Sequence, residues 1–247
     1  MIREHPLQSV SLAVFACAII AAIGVGGVLL TDTFSGTTLF SEVFLDLHYL
    51  LMNGFFMLAV SLLFVGYYHY QRLVLLVAGL ALSGWTLAHV YWTLYVYLAS
   101  VPITYPSVAE LGFQAFYLLI LPTLLYLHRH AEIRLRRSLV PIIIAGPVLL
   151  AVATIGQPIP IGRFVYSLWY VTLAGASLAI ATNLLLSHRF RGIAIGVALF
   201  AISDITYTTI AIITPQLTVE FLDPVWYVSA TLIAASLLRY EQEGWLR

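Results

Sequence analysis

The chain has 247 residues, of which 62% are hydrophobic and 9% charged, with no net charge and a mean hydropathy of +0.98. A soluble domain carries about 25% charged residues, so a water-soluble enzyme is excluded, and the balanced charge offers no basic surface for nucleic acid. The eleven basic residues are all arginine; without a lysine amine no retinal or pyridoxal Schiff base forms, which excludes a rhodopsin-type light-driven pump.

Apolar runs punctuated by Arg, Pro and Gly predict eight helices, at residues 10–30, 43–67, 73–98, 108–127, 139–154, 164–187, 193–213 and 221–238. The first run is too long for a secretory h-region and lacks a persuasive cleavage site, so it is expected to stay attached as a membrane helix. Cys17, the single cysteine, lies in that run and reads as a buried, inert thiol. The fold class is therefore all-α, a polytopic membrane helix bundle forming one integral domain over residues 1–247 in the lipid bilayer. Arginine in the loops sets its orientation. With eight spans and the N-terminus inside, ten of the eleven arginines fall on the inner side and only Arg163 outside. Both termini are thus expected in the cytoplasm, with no soluble output domain fused at either end.

Ionisable residues at membrane depth are costly and are functional candidates by default. They concentrate in the outer half: Asp46 and His48 early in the second helix, His89 in the third, Glu110 opening the fourth, Asp204 in the seventh and Asp223 opening the eighth. Spacing gathers them into stripes. Trp85, His89 and Trp92 share one face of the third helix; Ser107, Glu110, Gln114 and Tyr117 one face of the fourth; Ser203, Asp204, Tyr207 and Thr208 an arc of the seventh. Polar faces at similar depth are expected to surround an outward-open pocket, whose candidate ligand-binding residues are Asp46, His48, Trp85, His89, Glu110, Gln114, Asp204 and Tyr207. A blander reading stands beside it. Glu42, Glu220 and Asp223 suit helix N-terminal caps, and Glu110 three residues after Ser107 suits a capping box. His89 and Asp204 are too deep for capping. The inner histidines His69, His128, His130 and His188 read as exposed helix flanks. The basic run from His128 to Arg137 reads as a topology determinant with some capacity for anionic lipid headgroups.

Signatures of intramembrane catalysis are missing: no Gly-x-Gly-Asp pair, no Gly-x-Ser-x-Gly elbow, no His-Glu-x-x-His site. A metal held by His48, His89 and Asp46 or Asp204, or a haem between His48 and His89, satisfies ligand chemistry without diagnostic spacing. The inner halves of the helices carry little polarity beyond Thr182 and Asn183, which disfavours a carrier.

Two stretches resemble a known class: residues 85–117, "WTLAHVYWTLYVYLASVPITYPSVAELGFQAFY", and residues 191–239, which contain "SDITY" and then "LDPVW". The chain resembles the multi-helix membrane input domain found at the N-terminus of many bacterial diguanylate cyclases and of bacterial and archaeal histidine kinases. The corresponding residues are Pro106, Ser107, Ala109 and Glu110, then Asp204 and Tyr207, then Asp223 and Trp226, with Glu110 standing where Asp is usual. The resemblance implies a sensory or small-molecule-binding module that acts through a separate signalling protein. The two stretches also resemble each other, His89 and Asp204 each being followed by an acid opening the next helix, so helices 3–4 and 7–8 form a possible parallel repeat. A membrane metal- or haem-binding redox protein and a scaffold subunit of a membrane complex are the alternatives.

Overall fold

A chain this apolar satisfies its backbone in lipid by hydrogen bonding within each segment. The computed structural model describes residues 6–35, 42–99, 107–134, 136–213 and 222–246, and among them forms α-helices and no strand. The helices are α1 (Pro6–Ser35), α2 (Glu42–Tyr70), α3 (Leu73–Trp92), α4 (Val108–His130), α5 (Val140–Ala153), α6 (Ile161–Leu184), α7 (Arg191–Ile213) and α8 (Asp223–Gln242). Each apolar run has its helix, with ends displaced. α1 begins at Pro6, α6 stops at Leu184, and α8 begins at Asp223 with Pro224 in its first turn, where a missing N–H costs nothing. The third run changes form at its end, where α3 gives way to a π-helical segment, Thr93–Leu98.

Six helices, α1 to α4, α6 and α7, are long and apolar enough to cross a bilayer. The other two fall short for different reasons. α5 has 14 residues and rises roughly 21 Å, less than a hydrocarbon core of about 30 Å. α8 is long enough, but Asp223, Arg239, Glu241 and several hydroxyl and small residues dilute its apolarity. That composition fits its place: α8 packs on α1, α2, α3 and α7, and most of its residues are buried, so protein rather than lipid surrounds it. Conversely α1 turns Val10, Leu12, Ile20 and Ile23 outward. Cys17 belongs to that outward face and is exposed, contrary to the buried thiol expected, because the register of α1 puts Ala18 in the core instead.

Small residues set the closest approaches, as in other membrane bundles. A Cβ on Gly112 of α4 would lie 2.4 Å from the Gly84 carbonyl oxygen of α3, so these two backbones touch directly. Gly196 of α7 similarly admits α8, since a Cβ there would lie 3.1 Å from the Ser229 carbonyl oxygen.

Contacts define two ends. At one, Arg72 before α3 pairs with Glu241 of α8 at 3.1 Å, and the Ile193 N–H of α7 donates to the Tyr240 hydroxyl at 3.2 Å. Arg129 and Arg189 line one bowl at this arginine-rich end, where Arg239 pairs with Glu243, and both ends of the described chain lie there, since α1 meets the start of α8 at Gly26 and so begins near the end of α8. At the arginine-poor end the start of α2 meets the start of α8, and the Tyr166 hydroxyl of α6 donates to the Glu110 carbonyl of α4 at 3.1 Å.

Candidate functional site

Asp204 sits in the arginine-poor half of α7, 2% exposed, where a lone carboxyl would be costly. Its cost is offset from two other helices. The Tyr117 hydroxyl of α4 and the Tyr170 hydroxyl of α6 both donate to the same oxygen, Oδ2, the second at 2.6 Å. The Trp226 indole N–H of α8 approaches the carboxyl without reaching full hydrogen-bond geometry. One carboxyl thereby ties α7 to α4 and α6.

A second polar centre joins α2 to α8. His48 Nε2 lies 3.1 Å from Asp223 Oδ2, with the imidazole fully buried and the carboxyl nearly so. The other ring nitrogen, Nδ1, has no hydrogen-bond partner among the described residues, and neither has the hydroxyl of Tyr227, one turn along α8 from Asp223. Deeper along α2, the Asn53 amide donates to Thr93 Oγ1 at 2.9 Å, and Thr93 donates in turn to the His89 carbonyl at 2.8 Å. The change from α-helix to π-helix thus falls where α2 and α3 are bridged by a side-chain chain of bonds, as happens at functional positions in other helices.

Between the two centres lies a cluster of rings. His89 is enclosed by Phe56, Trp85, Phe113 and Trp226, with ring centroids 5.4–5.8 Å apart. Trp85 also meets Phe200 of α7 at 4.6 Å in an edge-on arrangement. Tilted and edge-on pairs at these separations are attractive beyond the area they bury. The Trp85 indole N–H, however, is buried without a hydrogen-bond partner among the described residues, as is Asn53 Oδ1.

The expected site residues divide. His48, Trp85, His89 and Asp204 come together in the interior of the arginine-poor half, and Tyr207 joins them through a 5.3 Å ring contact with Trp226. Gln114 is half-buried on α4. Glu110 completes a capping box with Ser107, its carboxylate accepting from the Ser107 backbone N–H while the Ala109 N–H donates to Ser107 Oγ at 3.2 Å. Asp46 belongs to α2, and its side chain lies outside the described residues, as do those of Glu42 and Glu220.

Two partners escaped the sequence reading. Asp223 was expected to cap α8; it makes no such bond, because its carboxyl turns across to His48. Tyr170 carried no signal except its spacing, four residues after Tyr166 on α6. His128 is also no exposed flank: it is buried and lies 2.7 Å from the Asn183 amide nitrogen.

Among the described residues no three of His, Cys, Asp and Glu are placed to hold a metal ion. His48 and Asp204 are each committed to separate partners. The arrangement is an all-α membrane bundle with a hydrogen-bonded polar core and an aromatic lining inside it. No family model matches the chain, and no curated protein or solved structure matches it either.

Proposed function

We propose that the chain is a sensory module of the cell membrane that binds a small molecule within the polar core of its arginine-poor half and acts through a separate signalling protein. The observation that carries this reading is the set of buried polar atoms there that have no hydrogen-bond partner among the described residues: His48 Nδ1, Asn53 Oδ1, the Trp85 indole N–H and the Tyr227 hydroxyl. Buried groups of this kind each cost about 1–3 kcal/mol unless something bonds to them. Several in one region favour an occupant with its own donors and acceptors. The surrounding rings suit an occupant with an apolar or cationic body.

The wider reading follows from the same layout. In this reading α5 and α8 span the membrane beside the other six helices, and the arginine-rich end and both termini face the cytoplasm. The occupant then enters from the outer side or from the lipid. α8 carries Asp223, Trp226 and Tyr227 at one end and Tyr240 and Glu241 at the other, so an occupant that prefers one position of α8 changes the cytoplasmic face. The resemblance in sequence to the membrane input domains of cyclases and kinases favours such a route, as would a parallel repeat of helices 3–4 in 7–8.

The test is chemical. Protein purified from its own membrane is denatured, and the released small molecules are identified by mass spectrometry, with an absorbance scan taken beforehand. A stoichiometric organic molecule that is reduced in the Trp85→Phe variant supports the reading. A bare chain, or release of a metal or haem in its place, contradicts it.

A further inference from the structure

At the arginine-rich end, away from the polar core, three turns meet around an open bowl of about 590 Å³ lined by Arg129, His130, Glu132, Arg189, Gly244 and Trp245. Two guanidinium groups and an imidazole face one carboxylate. Arg129 and Arg189 are both exposed, and among the described residues neither has an ion-pair partner, whereas Arg72 and Arg239 do.

The backbone beneath these charges is pinned. His130 Nδ1 lies 3.0 Å from the Tyr126 carbonyl, and the Tyr126 hydroxyl donates to the Leu246 carbonyl at 3.2 Å, binding the tail to α4. Arg189 precedes Phe190, which is buried and meets Tyr240 edge-on at 5.3 Å. Gly244, at φ 75°, takes a left-handed turn that a side chain would strain, and this turn lays Trp245 flat against Tyr240 with ring centroids 5.5 Å apart. Glu132, at φ 54°, is held in the same unfavourable region without glycine's freedom. Two exposed arginines on separate turns with anchored neighbours thus line one bowl beside an indole, and guanidinium groups match the oxygens of a phosphate.

We propose that this bowl binds a phosphate group, and that its source is the headgroup of an anionic phospholipid in the adjoining leaflet. Guanidinium forks suit phosphate geometry, and the bowl lies at the end of the bundle where α4 and α8 end and the turn between α6 and α7 falls, where a span of this length brings a chain to the headgroups. The same chemistry would serve a soluble phosphate compound.

Native mass spectrometry of the intact protein in detergent micelles separates these sources. It is titrated with phosphatidylglycerol, with phosphatidylcholine, whose choline cancels the charge, and with inorganic phosphate. The expected result is retention of phosphatidylglycerol over phosphatidylcholine. Arg129→Gln and Arg189→Gln should each weaken it on the order of tenfold, the loss of one charge-assisted contact. Arg239→Gln removes the same charge from the same end but outside the bowl, and should leave retention unchanged. Both bowl arginines are exposed, so their variants are expected to fold. Binding of inorganic phosphate with the same arginine dependence, and no lipid preference, supports the phosphate site while assigning it a soluble ligand. Equal retention by all variants, an equal loss in Arg239→Gln, or no retention of lipid or phosphate overturns the proposal.

Discussion

Removing one hydroxyl from a buried tyrosine should have opposite effects at two positions of this bundle. Tyr170 and Tyr227 are both buried, but the Tyr170 hydroxyl donates to Asp204 whereas the Tyr227 hydroxyl has no hydrogen-bond partner among the described residues. Tyr170→Phe keeps the ring contacts with Tyr117 and Tyr166 and removes one of the two tyrosine bonds to the carboxyl. Interhelical hydrogen bonds in membrane proteins average about 0.6 kcal/mol and reach about 1.7, so the variant should lose about that much. Tyr227→Phe breaks no bond, keeps the stacking on Phe55 at 5.2 Å, and removes a desolvated hydroxyl. It should gain about 1 kcal/mol when the core is empty. The two variants then differ by about 2 kcal/mol, a factor of roughly 30 in the folding equilibrium. Reversible unfolding of ligand-stripped protein in mixed micelles measures both. Equal destabilisation would mean that the Tyr227 hydroxyl has a partner after all, and the unpaired core would lose its strongest member.

Three further outcomes follow from the packing. His48→Ala strands the Asp223 carboxyl and should cost about 3 kcal/mol or more, while adding Asp223→Asn should recover part of that loss; a double-mutant cycle without coupling would mean the pair is incidental. Asp204→Asn places an amide oxygen where both tyrosines donate and should fold nearly as well as the parent, whereas Asp204→Ala strands two hydroxyls and should lose about 1–3 kcal/mol, measured by the same unfolding assay. Gly112→Ala drives a methyl into the Gly84 carbonyl and should cost about 1–3 kcal/mol, while Gly54→Ala, with nothing within 4 Å, should be tolerated; comparing the monodisperse fraction after extraction checks the contrast.

Hydropathy alone carried the helices, because an apolar run in lipid has few alternatives to a helix. Local spacing carried more: Ser107 and Glu110 encode their capping box within four residues, and the depth of His89 and Asp204 already separated them from caps. What stayed hidden depends on contacts distant in sequence. Asp223 looks like a cap until His48, 175 residues away, is brought beside it. Tyr170 looks like any interfacial aromatic until α6 is rotated toward Asp204. Cys17 was assigned to the core because α1 is apolar all round, and such a helix gives no period from which to tell lipid from protein. α8 shows the reverse: its weaker apolarity marks burial among other helices, a meaning available only once α1, α2, α3 and α7 surround it.

The claim that the polar core receives a small molecule is tested most directly by native mass spectrometry of the protein gently extracted from its own membrane, wild type beside Tyr227→Phe. The account requires a bound mass on the wild type and a smaller bound fraction on the variant, although the variant is the more stable protein once emptied. A wild type that carries no bound mass, or a variant that carries it equally, would contradict the account and leave the unpaired core as structure alone.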